Sequence, residues 1–169
     1  MDEIHLIIVW KKATNKLDEI ISDISRNFII KSVFENTWSE DQFSKNLSRF
    51  YGQNLPEGCD KETHIGVGPF HAIVCLDPTP KYGIRETAKG TVDVNTNIFD
   101  AKQKYREWTG GGHRIHATNS ATESLHDIWL LLGRDPEEFA AVSDWNGSIE
   151  TVATDLLGAG GWENIECFF

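Results

Sequence analysis

Apolar residues follow a strand–helix rhythm over the first three quarters of the chain. Ile4-His5-Leu6-Ile7-Ile8-Val9-Trp10 is a near-continuous apolar run that stops at Lys11-Lys12 and predicts a buried strand. Leu17, Ile20, Ile21 and Ile24 fall at helical spacing and predict a helix ending near Asn27. Phe28 to Phe34 is a second strand by its β-branched and aromatic content, and Ser39 with Gln42 reads as a capping box before a helix striped by Phe43, Leu47, Phe50 and Tyr51. A third strand is predicted from Gly68 to Leu76, stopped by Asp77-Pro78. Residues 77–111 read mostly as loop, with a short helix near Ala101–Trp108. Arg114-Ile115-His116-Ala117 predicts a short strand. Ser120 then caps a periodic helix through Ala121, Leu125, Ile128, Trp129 and Leu132, stopped by Gly133. Pro136-Glu137-Glu138-Phe139 predicts one more helical turn, and no element is assigned beyond Ser143. This order predicts an α+β, ferredoxin-like βαββαβ sandwich: an antiparallel sheet with helices on one face.

Composition narrows the class. The chain has 169 residues, 40% hydrophobic and 25% charged, which suits an ordinary folded domain. It has no apolar run long enough for a transmembrane helix and no basic start of a secretory signal. Cys59, Cys75 and Cys167 are odd in number and far apart, which predicts reduced thiols and a cytoplasmic location. The net charge of −10 argues against a nucleic-acid partner. Within that acidic chain, Lys81 to His116 carries seven basic residues (Lys81, Arg85, Lys89, Lys102, Lys104, Arg106, Arg114) against four acids. A local cationic cluster in an otherwise anionic protein predicts a discrete pocket for a small anion such as phosphate.

The segment from Gly110 to Ser120 holds the candidate chemistry. Its glycines would let backbone approach a ligand, and the helix start at Ser120 offers N–H groups to an anion. His116 lies between them, where an imidazole can act as nucleophile, and Asp127, eleven residues on, is the carboxylate placed to fix its tautomer. A metal site on His113, His116, His126 and Asp127 is set aside, because residues three apart on a strand face opposite ways. His116-Ala117-Thr118 matches the His-x-Thr element of two-histidine phosphoesterases, but no second copy exists, and no glycine cluster ends in the Gly-Lys-Ser/Thr of a Walker loop. Trp10 and Trp129 read as packing residues, and Trp108 as a candidate base-stacking ring.

In its motifs the chain resembles the nucleoside diphosphate kinase family, whose signature strand is Asn-Ile-Ile-His-Gly-Ser-Asp-Ser. His113-Arg114-Ile115-His116-Ala117-Thr118-Asn119-Ser120 stands at the matching place, with Leu6 to Lys11, Asp18 to Ile21, Phe50-Tyr51, Gly68-Pro69 and Asp135 to Phe139 matching in order. The resemblance covers roughly residues 4–140 and implies a kinase-like domain over 1–140, with 141–169 as a C-terminal extension packing on it. It implies a nucleotide-dependent phosphotransferase working through a phosphohistidine at His116, with Asp127 and Lys11 in the catalytic set. Tyr51, Arg85, Thr91, Lys102, Lys104, Arg106, Arg114 and Thr118 are then the candidates for holding nucleotide and phosphate. The implied partners are a nucleoside di- or triphosphate with its Mg²⁺ and further copies of the chain, with no metal held by the protein alone.

Several family features are absent. Lys11 is followed by Lys12-Ala13-Thr14 instead of Pro-Asp-Gly, His113 replaces the signature asparagine, and Ala117 replaces the glycine after the histidine. These departures support an alternative: a nucleotide-binding module of the same fold without kinase turnover. A third reading makes His116 a general base for acyl or phosphate transfer to a specialised substrate.

Overall fold

The computed structural model describes residues 1–156. From the amino terminus these run β1 (Glu3–Val9), α1 (Leu17–Asn27), β2 (Ile29–Asn36), α2 (Phe43–Tyr51), α3 (Asp60–Ile65) and β3 (Phe70–Asp77). They continue through β4 (Tyr82–Thr87), β5 (Gly90–Asn95), α4 (Thr96–Trp108), β6 (Ile115–Ala117), α5 (Ala121–Leu132), α6 (Pro136–Ala141) and β7 (Glu150–Val152). The main sheet has the order β6-β1-β3-β2-β7. Each of its first four strands is antiparallel to its neighbour among them, with Ile8 opposite both Ala72 and His116. The path β1-α1-β2-β3-α4-β6 is therefore the predicted ferredoxin-like βαββαβ unit.

The two crossover helices share one face of the sheet, as the motif requires. Leu17, Ile20 and Ile24 of α1 and Ile98, Ala101 and Tyr105 of α4 pack beneath Ile7, Val9, Ile73 and Cys75. The opposite face was expected to carry no helix, and here the structure corrects the expectation. Phe43, Leu47 and Phe50 of α2, Ile65 of α3, Ile128 and Leu131 of α5 and Phe139 of α6 cover Leu6, Ile8, Trp10, Ala72 and Val74. The physical reason lies in β1 and β3. A strand covered on one side alternates apolar and polar, whereas these two bury almost every residue and so need a layer on each face.

Three further elements differ from their prediction. Residues 82–95 form a β-hairpin instead of loop, and α4 begins at Thr96 because the Asn95 side chain accepts from the Asn97 and Ile98 N–H groups. Ser39 does not cap α2: its hydroxyl donates to Asp155, 2.7 Å away, and a short 3₁₀ turn at Glu40–Gln42 precedes the helix. Helix α5 is capped by Ser120 as predicted, but it is rotated so that Ser124, Asp127, Ile128 and Leu131 face inward while Leu125 and Trp129 lie exposed. Trp10 is fully buried as expected; Trp129 is not a packing residue.

Beyond α6, β7 pairs parallel with β2, and Asp155 accepts hydrogen bonds from Ser39 and Asn46. Residues 157–169, and with them Cys167 and the end of the expected extension, lie outside the described residues. Cys59 and Cys75 are unpaired. Among the described residues no helix is long and apolar enough to cross a membrane.

A partly buried polar knot ties the hairpin to the sheet. One Glu3 carboxylate oxygen is 2.6 Å from His5 Nε2 and accepts from Tyr82 Oη at 2.8 Å and Asn95 Nδ2 at 3.1 Å. Partial burial works to raise the Glu3 pKa, but these hydrogen bonds outweigh it and hold it at about 2, against an ordinary 4.5. A carboxyl with a lowered folded-state pKa adds stability that is present above the unfolded value and is lost as pH falls toward the folded one. Glu3→Gln is therefore expected to flatten the decline in stability between pH 4.5 and about 2, and to cost about 1–3 kcal/mol at neutral pH, read from urea titrations across that range. An unchanged acid limb would show that the knot contributes nothing to it.

Candidate functional site

His116 comes from β6, the short edge strand beside β1, and points to the α2–α5 side of the sheet. Its Nε2 lies 2.7 Å from Asp127 Oδ2 on the inward face of α5. The other Asp127 oxygen is 2.8 Å from His126 Nδ1, so the carboxylate is fixed from both ends. Phe50 and Tyr51 at the end of α2 meet the imidazole edge-on, with ring centroids 5.0 and 5.4 Å away. Trp10 Nε1 donates to Tyr51 Oη at 3.3 Å, and burial pushes the Tyr51 hydroxyl above its usual range, so it stays protonated. Nε2 is engaged by Asp127, Nδ1 makes no hydrogen bond among the described residues, and the imidazole lines a cleft of about 600 Å³.

The hairpin β4–β5 and helix α4 form the far wall of that cleft. Lys61, Lys89, Lys102 and Arg106 line it, against the carboxylates of Glu86, Asp93 and Glu123, so cations are in excess. Lys102 donates to Asn119 Oδ1 at 2.9 Å, and Arg106 Nε to the Ile115 carbonyl at 3.0 Å, which aims both cations beside His116. Burial first, and the Arg106 charge second, lower the Lys102 pKa to about 8. The same two causes lower that of Lys61, whose ammonium stands 3.4 Å over the Tyr51 ring, to about 8.

Of the residues singled out from sequence, His116, Asp127, Tyr51, Lys102 and Arg106 come together here. The others are placed elsewhere. Lys11 packs its stem against the turn at Gly66 and Gly68, where a Cβ on Gly68 would come within 2.5 Å of Lys11 Cδ. Arg85 makes a paired contact with Asp100, both bonds 3.0 Å, on the exposed side of the hairpin. Thr91 donates to Glu86 within the hairpin. Lys104 pairs with Asp23 of α1 at 2.7 Å, because it sits two residues round the helix from Lys102. Arg114 is spent on the carbonyls of His64 and Thr109, and Thr118 is buried between His5, Ser124 and the Leu6 N–H.

Two further expectations change. The glycine run at 110–112 is required by the turn after α4: all three have φ between 73° and 92°, and a Cβ on Gly112 would meet His64 Nε2 at 2.3 Å. Trp108 packs at the α1–α4 core and does not line the cleft. Sequence reasoning missed Lys61, on a helix too short to show a period, and Glu123. The Ser120-x-x-Glu123 spacing was a legible signal for the latter: Glu123 Oε2 accepts from the Asn119 N–H, so the start of α5 already holds an anion of its own.

A ferredoxin-like α+β domain with a histidine–carboxylate pair at the floor of a cation-lined cleft is what these residues build. No protein-family model matches the chain, and no curated protein does either. Solved structures are similar to it. They include a nucleoside diphosphate kinase from Aquifex aeolicus (18% identity, 76% of this chain and 93% of the other, TM-score 0.44). One from Borrelia burgdorferi, solved with vanadate and ADP, shares 14% identity over 79% of this chain and 90% of its own, with a TM-score of 0.43. A nucleoside diphosphate kinase family protein from Babesia bovis shares 13% over 95% and 98%, with a TM-score of 0.46.

Proposed function

We propose that the protein is a nucleotide-dependent phosphotransferase that carries the phosphoryl group on His116. The observation that carries this reading is the pairing of Nε2 with Asp127, which leaves Nδ1 as the nucleophilic nitrogen of a ring that lines one cleft with Lys102, Arg106 and Lys61. With a nucleoside triphosphate bound, Nδ1 attacks the γ-phosphorus in line, the P–N bond forms as the P–O bond to the departing diphosphate breaks, and the ring becomes positively charged. Asp127, accepting from Nε2–H, stabilises that charge, while the three cations neutralise the phosphate oxygens. A second diphosphate then attacks phosphorus and returns the imidazole to its starting form. The hairpin's Glu86 and Asp93 supply the oxygen donors that suit a Mg²⁺ arriving with nucleotide, and the ion would offset polyphosphate charge there.

Incubation with ATP radiolabelled at the γ-position is the direct test. The reading predicts an acid-labile, alkali-stable label on the peptide that contains His116; label on another peptide, or none, rejects it. A second reading, nucleotide binding without turnover, is favoured by one observation: Lys11, Arg85 and Thr91 are absent from the cleft wall. Nucleotide binding by calorimetry without any phosphoenzyme would select it. Both readings make affinity depend on the charge of Lys61 and Lys102. Nucleotide affinity is therefore expected to hold below pH 8 and to fall as pH rises through about 8, measured by calorimetry in buffers of matched ionic strength. A flat profile would mean that neither ammonium touches the ligand.

A further inference from the structure

We propose that His116, Glu123 and Asp127 form a three-ligand site for a divalent transition-metal ion of the zinc type, and that filling it switches His116 off as a phosphoryl acceptor. Ligand atoms of the three side chains all lie within 4.8 Å of one another. His116 Nε2 is 2.7 Å from Asp127 Oδ2 and 3.9 Å from Glu123 Oε1. Those two separations bracket the spacing of about 3.4 Å between neighbouring ligands of a tetrahedral zinc ion with bonds near 2.1 Å.

The outer oxygens of both carboxylates are held as well. Asp127 Oδ1 is held by His126 Nδ1 at 2.8 Å, and Glu123 Oε2 accepts from the Asn119 N–H at 3.3 Å. Each carboxylate is thus oriented from behind, leaving the inner oxygens to converge on Nε2; metal sites orient their ligands in the same manner. One imidazole nitrogen with two carboxylate oxygens suits a first-row transition ion and is a poor set for Mg²⁺, which takes oxygen donors. Glu123 lines the cleft, so an ion has a path in.

The metal reading on His113 and His116 fails on different grounds from those the sequence gave. His113 lies in the turn before β6, so the opposite-face rule does not apply to it, and both histidines line the cleft. Among the described residues, however, the atoms that converge are those of His116, Glu123 and Asp127.

Tautomerism links this site to phosphoryl transfer. A neutral imidazole has one N–H and one lone pair. With the proton on Nε2, donated to Asp127, the lone pair is on Nδ1. Coordination takes the Nε2 lone pair, so the proton must move through solvent from Nε2 to Nδ1, and a water leaves the ion. Nδ1 then has nothing to donate to phosphorus. This linkage rests on the proposed function; the binding site does not.

Calorimetric titration of metal-free protein with Zn²⁺ tests the site. One Zn²⁺ per chain is expected, at least tenfold weaker binding in Glu123→Gln with unchanged circular dichroism, and undiminished binding in His64→Ala, which disturbs the histidine pair at His64 and His113. No Zn²⁺ binding, or equal affinity in wild type and Glu123→Gln, overturns the site. Labelling with γ-radiolabelled ATP tests the linkage: Zn²⁺ should suppress label in wild type far more than in Glu123→Gln. Equal suppression in both overturns it. A metal-free wild type that never labels rejects the phosphotransferase reading, while the titration still decides the site.

Discussion

Asp127→Asn is expected to slow phosphorylation of His116 by about 10⁴-fold while leaving the fold intact, the size of loss found when the carboxylate behind a catalytic histidine is made neutral. The side chain is nearly buried and its two oxygens face two histidines, Nε2 of His116 and Nδ1 of His126. Asparagine keeps the shape but replaces one acceptor by a donor. With its NH₂ toward His116, the ring must present a lone pair at Nε2 and carry its proton on Nδ1, the nitrogen that has to attack. With its oxygen toward His116 the tautomer survives, yet the charge that stabilises the developing imidazolium is gone. Single-turnover labelling separates this from damage to binding: the rate falls while nucleotide affinity holds. His116→Ala, by contrast, removes the acceptor itself. A wild-type labelling rate in Asp127→Asn would show that the 2.7 Å contact has no part in the chemistry.

The largest stability effect is expected at Trp10. Its ring is fully buried where β1 runs out under α2, with Phe70 4.8 Å and Trp38 5.8 Å away and Phe50 and Tyr51 both at 6.4 Å. Trp10→Ala removes the centre of that cluster and is expected to cost about 3–5 kcal/mol, a large part of what a domain of this size has. Trp10→Phe keeps most of the packing and loses the N–H that holds Tyr51 Oη, so its stability loss should be smaller while the Tyr51 ring beside His116 gains freedom. Urea unfolding at neutral pH measures both. A loss below about 1.5 kcal/mol for the alanine variant would mean that the cluster collapses into the gap.

Most of the central βαββαβ path was legible because β1, β2 and β3 are long apolar runs and α1 has a clean period. By contrast, β6 is only three residues long and the weak period of α4 shows just its C-terminal half. The second helical layer was legible too, in principle: Ile4 to Trp10 does not alternate, and a non-alternating strand asks for cover on both sides. The hairpin at 82–95 was hidden because its burial is weak on both faces and its order comes from elsewhere, through Asn95 and Tyr82 reaching Glu3. That hairpin also decides the fate of Arg85. Neighbours on a strand point opposite ways, so with Glu86 at the cleft wall, Arg85 faces away and finds Asp100. Helical spacing works in the opposite sense on α4, where Lys102 and Arg106 share one face and Lys104 turns to Asp23. Asp127 was legible as a candidate partner for His116, because it lies eleven residues on in the helix that follows the histidine's strand, and the family resemblance pointed to the same acid. Glu123 was concealed by reading Ser120 as a cap without its partner.

The pairing of β7 along β2 has a bearing on how the protein matures. Until residues 150–152 have been synthesised, the outer backbone groups of Phe34 to Asn36 have no ladder partner, and such an open edge is a template for another nascent chain. A parallel partner drawn from more than a hundred residues downstream closes the edge only after it has emerged, so protection against self-association lags well behind the formation of β2.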